Sequence, residues 1–131
     1  MTKPVVTIEN FDIETELTCR CRYGCRRFNY STEFLVRLQA FRYMLGVGLT
    51  ITGPGRCIKH NADEGGEPTS LHICEGKQAT AIDVTNSNCK NIYEKACSCG
   101  LFNEVIWYKK KNFVHLGLDK KQNGNYFHIN A

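Results

Sequence analysis

Between Ser31 and Gly46, the apolar residues Phe34, Leu38, Phe41 and Leu45 recur at i, i+4, i+7 and i+11. That spacing places them in one stripe of a helix with 3.6 residues per turn. Ser31 is placed to cap the start of this helix, Glu33 puts an acid in its first turn, and Gly46 is placed to end it. After Gly46 the period changes. "LTIT" (49–52) alternates as a strand and is broken by "GPG", and "TAIDV" (80–84) is a second short strand. A second helix is predicted from about Asn88 to Cys99, with Gly100 as its stop. "EVIWY", "NFVHLGLD" and "YFHIN" then read as three strands, and Asn123-Gly124 predicts a hairpin between the last two. Residues 1–30 read as irregular apart from a short extended piece, "PVVTI". The order predicts an α+β fold in which two main helices accompany an antiparallel sheet, with residues 1–131 as a single small domain.

A chain of 131 residues is long enough to bury a core without staples. The net charge of +4 is mild, and its basic clusters "RCRYGCRR" and "YKKKN" are short and far apart, so nucleic acid is not an expected partner. No apolar run approaches the ~20 residues needed to span a bilayer. The first residues carry acids in place of an apolar signal core, so synthesis and retention in the cytoplasm are expected, as a monomer without membrane insertion. Eight cysteines without a signal segment point to reduced thiols or a metal site rather than disulfides. "CRCRYGC" with Cys57 would supply a structural zinc site, but its spacing is not the usual CxxC pair. Buried thiols packed as small hydrophobes are the preferred reading.

The turn-rich, polar stretch from Arg56 to Thr80 has the character of a functional loop. A hydrolytic zinc takes three protein ligands, imidazole and carboxylate among them, and keeps one position open. His72 lies in that loop and Asp83 in the strand that leaves it. His115 is the natural third ligand, because alternation puts Phe113, His115 and Gly117 on one face of a strand. A single histidine between Val114 and Leu116 is more often structural, so spacing alone leaves the site open.

"CIKHNADEGGEPTSLH" resembles the HN-x(3)-GG-x(3)-S-x-H stretch of the zinc D-alanyl-D-alanine carboxypeptidases and related phage endolysin peptidases. In that family G-x-A-x-D and an aromatic-Val-His strand follow. The corresponding residues here are His60-Asn61, Gly65-Gly66, Ser70, His72, Ala81, Asp83 and the "FVH" ending at His115. "ITGPGRC" is similar to the family's "ITSGYRC", and the likeness runs from about Phe11 to His115. The resemblance implies a compact α+β peptidase fold shared with the hedgehog signalling domain, and Zn2+ held by His72, Asp83 and His115. The implied substrate is a peptidoglycan stem peptide, cut beside a D-amino acid by water activated at the metal. Arg56 would stabilise negative charge on the substrate or hold the loop through a salt bridge. Ser70 would orient the loop or hydrogen-bond the substrate, and His60 is structural.

This chain departs from the family's pattern in three places. His72 and Asp83 are eleven positions apart (83 − 72) where the family spaces them by seven, so "ICEGKQAT" reads as an insertion of about four residues and Glu75 competes with Asp83 as the carboxylate ligand. The acid that many members carry three residues before the last histidine is Asn112 here, which cannot take a proton. Glu104 is the preferred substitute base, ahead of Asp119. The family's Ser-Gly-Tyr-Arg is Gly53-Pro54-Gly55-Arg56, which loses a hydroxyl and an aromatic ring. The expected function is a zinc peptidase of the carboxypeptidase or L-Ala-D-Glu endopeptidase type, such as a phage endolysin made in the cytoplasm and acting on the cell wall. The alternative is a zinc-containing wall-binding module that no longer cleaves. His128, in the last strand, would face Asp119 through the hairpin and is expected to be an exposed terminal histidine.

Overall fold

Helix α1 (Thr32–Leu45) starts where the Ser31 hydroxyl accepts the Phe34 N–H at 3.3 Å. It ends where Gly46 turns left-handed at φ 72° and donates its N–H to the Arg42 carbonyl. Only glycine enters that conformation without a Cβ penalty, so the sequence sets both ends of the helix. All four residues of the expected stripe are buried, with Leu35 beside them. The computed structural model describes residues 10–131, and the extended piece expected at residues 4–8 lies outside the described residues.

The five strands are β1 (Thr50–Gly53), β2 (Ala81–Thr85), β3 (Glu104–Tyr108), β4 (Phe113–Gly117) and β5 (Tyr126–Asn130), in the sheet order β1-β2-β4-β3-β5. Two further helices, α2 (Ile58–Asp63) and α3 (Cys89–Ser98), complete the α+β layout, with one π-helical turn at Ile13–Leu17. Alternation divides the sheet into two faces. Ile82, Val84, Val105, Val114 and Leu116 join Phe34, Leu38, Phe41, Ile92, Ala96 and Phe102 in the core. The residues alternating with them, Asp83, His115 and Glu104, therefore point to the opposite face, away from α1 and α3.

The hairpin expected at Asn123-Gly124 does not form. β5 pairs with β3 in parallel, Ile106 opposite His128, rather than with β4. Both edges of β4 are already taken, by β2 and by β3, so the returning chain must cross to the next free edge. Asn103 holds that crossing. Its side chain accepts the Asp119 N–H at 2.7 Å and donates to the Asp119 carbonyl at 2.7 Å, while its carbonyl accepts the Tyr126 N–H at 2.8 Å. His128 therefore sits opposite Ile106 and not Asp119, exposed and stacked on Tyr126.

The tight hairpin joins β3 to β4 instead. Asn112 closes it at φ 58°, with its N–H on the Lys109 carbonyl at 3.3 Å. Asparagine is among the few side chains that tolerate this region, so the turn gives Asn112 a backbone role of its own. In the core, Phe102 meets Phe41 edge-on at 5.5 Å and Phe34 at 6.1 Å. Phe41 is fully buried. Replacing it with alanine should cost about 3–5 kcal/mol of stability, read as a lower urea midpoint with an unchanged slope.

Candidate metal centre

Asp83 and His115 stand directly opposite one another on the antiparallel strands β2 and β4. Cross-strand neighbours of this kind bring side chains on one face into contact. The third group arrives from the long loop. The Arg56 N–H donates to the His72 carbonyl at 2.7 Å and the Cys74 N–H to the Arg56 carbonyl at 2.8 Å, so Arg56 and His72 are fixed to each other through the backbone. Ser70 accepts the His72 N–H on its hydroxyl at 3.2 Å, which sets the turn that aims His72 at the sheet.

The donor atoms converge closely. His72 Nε2, Asp83 Oδ1 and His115 Nδ1 form a triangle whose three edges are each 3.2 Å. A tetrahedral ion with bonds of about 2.0 Å needs donors about 3.3 Å apart, from 2 × 2.0 × sin 55°. The other ring nitrogens are placed to hold each imidazole in the required tautomer. His72 Nδ1 lies 3.3 Å from the Pro54 carbonyl, and His115 Nε2 lies 2.6 Å from Glu104 Oε1. With those nitrogens donating, Nε2 of His72 and Nδ1 of His115 turn lone pairs toward the same point. The donor set thus fits a zinc ion, with one face of the triangle left toward the cleft.

Asp83 presents Oδ1 to the histidines and Oδ2 to Arg56, whose Nη2 is 3.8 Å away. Burial alone would raise the Asp83 pKa, but the charge on His72 and hydrogen bonds from His115 and His72 hold it well below the usual carboxylate range. Burial likewise works against a charged His115. Hydrogen bonds to Asp83 and Glu104 outweigh it and push its pKa up to about 9. The hydrogen bond from His115 also lowers the pKa of Glu104, which stays ionised.

Every residue expected at the site lies there: Arg56, Ser70, His72, Asp83, Glu104 and His115 line one cleft of about 520 Å³. Asp119 reaches the same cleft, but its Oδ1 accepts the Lys121 N–H in a local turn. Glu75 does not compete with Asp83. Its carboxylate accepts the Ile58 N–H at 3.0 Å and lies 4.0 Å from Arg27, on the far side of the loop. The extra residues after His72 bulge outward and return, because the Thr80 N–H bonds back to the Leu71 carbonyl at 2.9 Å and the Ala79 N–H to Asn29. The insertion therefore does not keep His72 and Asp83 apart. His60 stands near Glu64, at 3.6 Å, and is not among the three donors.

Asn61, Gly66 and Gly53 stand at motif positions in the sequence but were given no role there. Asn61, buried in α2, accepts from Arg56 Nη1 at 3.3 Å and donates to the Glu67 carbonyl at 2.9 Å. A Cβ on Gly66 would collide with the Asn61 side chain, which explains the second glycine of the Gly-Gly pair, while Gly65 takes φ 71°. Gly53 faces Asp83 across an irregularity in the β1–β2 pairing, and a Cβ there would overlap the Asp83 carboxylate. The signals were present in the Asn and Gly positions of the family motif, but their reason is spatial.

Two measurements check this geometry. Gly53→Ala should push Asp83 off the triangle and lower zinc affinity at least tenfold, while the fold, read by circular dichroism, persists. His115 in the metal-free protein carries a proton below about pH 9, and a metal must displace it. Zinc affinity should therefore rise about tenfold per pH unit as pH climbs toward that value, with proton release on binding measurable by calorimetry in two buffers.

No curated protein matches the chain. The family model described as Peptidase M15 matches residues 9–117, a span that contains every residue of the cleft assigned above from Arg56 to His115. The chain belongs to the Peptidase M15 family, whose members are in general zinc-dependent metallopeptidases.

Proposed function

We propose that this chain hydrolyses amide bonds of peptidoglycan stem peptides beside a D-amino acid, with His72, Asp83 and His115 as its zinc ligands. The observation that carries the reading is the triangle of donor atoms with 3.2 Å edges at the floor of a cleft that also holds a cation, Arg56, and a fourth ionisable group, Glu104, against His115. Zinc bound there supplies Lewis acidity to the scissile carbonyl. Arg56 projects beside Asp83 and offers its guanidinium to the carbonyl oxygen or carboxylate of the substrate as negative charge grows. Lys111 adds a second cation to the cleft, which suits a substrate bearing carboxylates. Ser70 holds the His72 turn and lies in the same wall, within reach of substrate.

Glu104 takes two parts in this proposal. Its Oε1 orients His115, and as the ionised carboxylate nearest that ring it accepts the proton from the attacking water. The same proton then passes to the amide nitrogen as the carbon–nitrogen bond breaks, and the proton of the new carboxylic acid follows to the amine, leaving a carboxylate and an ammonium group. Asn112, held in its turn, takes no part. A phage lysin that accumulates in the cytoplasm until released onto the wall is the setting this chemistry suits best.

Glu104→Gln keeps an acceptor for His115 but cannot take a proton. It should retain zinc and lose about 10²–10⁴ in kcat on purified cell wall. His72→Ala should lose both zinc and activity. A zinc-loaded wild-type protein that binds wall fragments but leaves every stem peptide intact by mass spectrometry would refute the hydrolase and leave a binding module. The masses of the released fragments separate carboxypeptidase from endopeptidase cleavage.

A further inference from the structure

A second cluster of metal-ligating side chains lies outside the cleft. Cys19, Cys21, Cys25 and Cys57 bring their four sulfurs within 4.8 Å of one another. Cys19, Cys21 and Cys57 are buried in a small group of their own, separate from the main core, while Cys25 is exposed. We propose that these four cysteines bind a second zinc ion, structural rather than catalytic, which clasps residues 19–25 to the start of α2. The proposal stands independently of the peptidase reading.

Distances favour an ion over disulfides. A tetrahedral zinc with bonds of about 2.3 Å needs sulfurs about 3.8 Å apart. The closest contact described, Cys21 Sγ to Cys25 Sγ, is 3.5 Å, and no separation exceeds 4.8 Å. Disulfides would pair sulfurs at about 2.05 Å and give no reason for all four to converge on one point. Backbone donors already face the sulfurs. The Cys57 N–H donates to Cys19 Sγ at 3.3 Å and the His60 N–H to Cys57 Sγ at 3.4 Å, outer contacts of the kind that orient metal ligands.

Charge and conformation agree. Four thiolates around a divalent zinc carry a net charge of −2, and the segment interleaves its cysteines with Arg20, Arg22, Arg26 and Arg27. The turn that folds Cys25 back on Cys21 uses left-handed backbone at Gly24, φ 69°, and at Arg26, φ 49°. Arginine has no intrinsic preference for that region, so something must hold it there. Backbone hydrogen bonds there are few: Cys19 N–H to the Arg27 carbonyl at 2.9 Å and Gly24 N–H to Cys21 at 3.3 Å. Exposed Cys25 leaves a way in for the ion. Because Cys57 follows Arg56, the clasp also fixes the backbone from which the cleft's arginine projects.

Protein purified under reducing conditions after growth with zinc should hold two zinc ions per chain by elemental analysis. The double variant His72→Ala/His115→Ala should keep one, released by a mercurial thiol reagent. Cys21→Ser/Cys25→Ser should keep the other and melt at lower temperature. Should that variant fail to fold, cobalt(II) in the unsubstituted protein still decides, through an intense thiolate-to-cobalt charge-transfer band. A histidine double variant without metal, a cobalt protein without that band, or mass-spectrometric recovery of the four cysteines as disulfides would each overturn the site. An unsubstituted protein that holds a single zinc, kept through the histidine substitutions and released by thiol modification, would uphold this site and refute the zinc centre of the peptidase reading.

Discussion

The pairing of Asp83 with His115 across β2 and β4 is the constraint on which the rest of the molecule depends. Side chains alternate along a strand, so a slip of one residue in either partner would send one of the two into the apolar core. Ile82 and Val84 on one strand, with Val114 and Leu116 on the other, prevent that slip, since each is fully buried on the helical face. The hydrophobic core thus sets the register, and the register delivers a carboxylate and an imidazole to the same spot. Core packing and site geometry are one problem here.

Three ionisable groups lie buried at that spot, Asp83, His72 and His115, all under 9% exposed. Burying charges is costly unless they are paired and hydrogen-bonded. The arrangement alternates sign from Arg56 through Asp83 and His115 to Glu104, with 3.8, 3.2 and 2.6 Å between successive partners. Without a metal, His115 holds a proton in the middle of this chain. A divalent ion at this point would take over that proton's role and add one further positive charge, so the same side chains suit both a metal-free fold and the proposed metal centre.

The loop between β1 and β2 is less irregular than its composition suggests. Arg56 and the segment from His72 to Cys74 are stitched by backbone hydrogen bonds, Asn61 ties α2 to Glu67 and to Arg56, and glycines at 53 and 66 yield the room that Asp83 and Asn61 fill. Loss of a hydroxyl and an aromatic in "GPGR" has a counterpart in this geometry. Gly53 must lack a side chain because Asp83 sits against it, and the Pro54 carbonyl orients His72. A carboxylate reaches His115 from β3 as Glu104, while Asn112 is committed to the turn that joins β3 to β4.

The sequence by itself determined the elements: the capped helix with its single stripe, the short strands, the polar loop, and the three donor types in chain order. These are written in local spacing, where apolar period and capping residues act over a few positions. The tertiary structure decided which strand edges remained free, and so sent β5 to β3 instead of back along β4. It also decided that the insertion after His72 would bulge outward, that Glu75 would turn away, and that four cysteines 38 positions apart at their extremes (57 − 19) would meet. Such outcomes depend on which surfaces are already occupied when a segment arrives, and no local pattern records that.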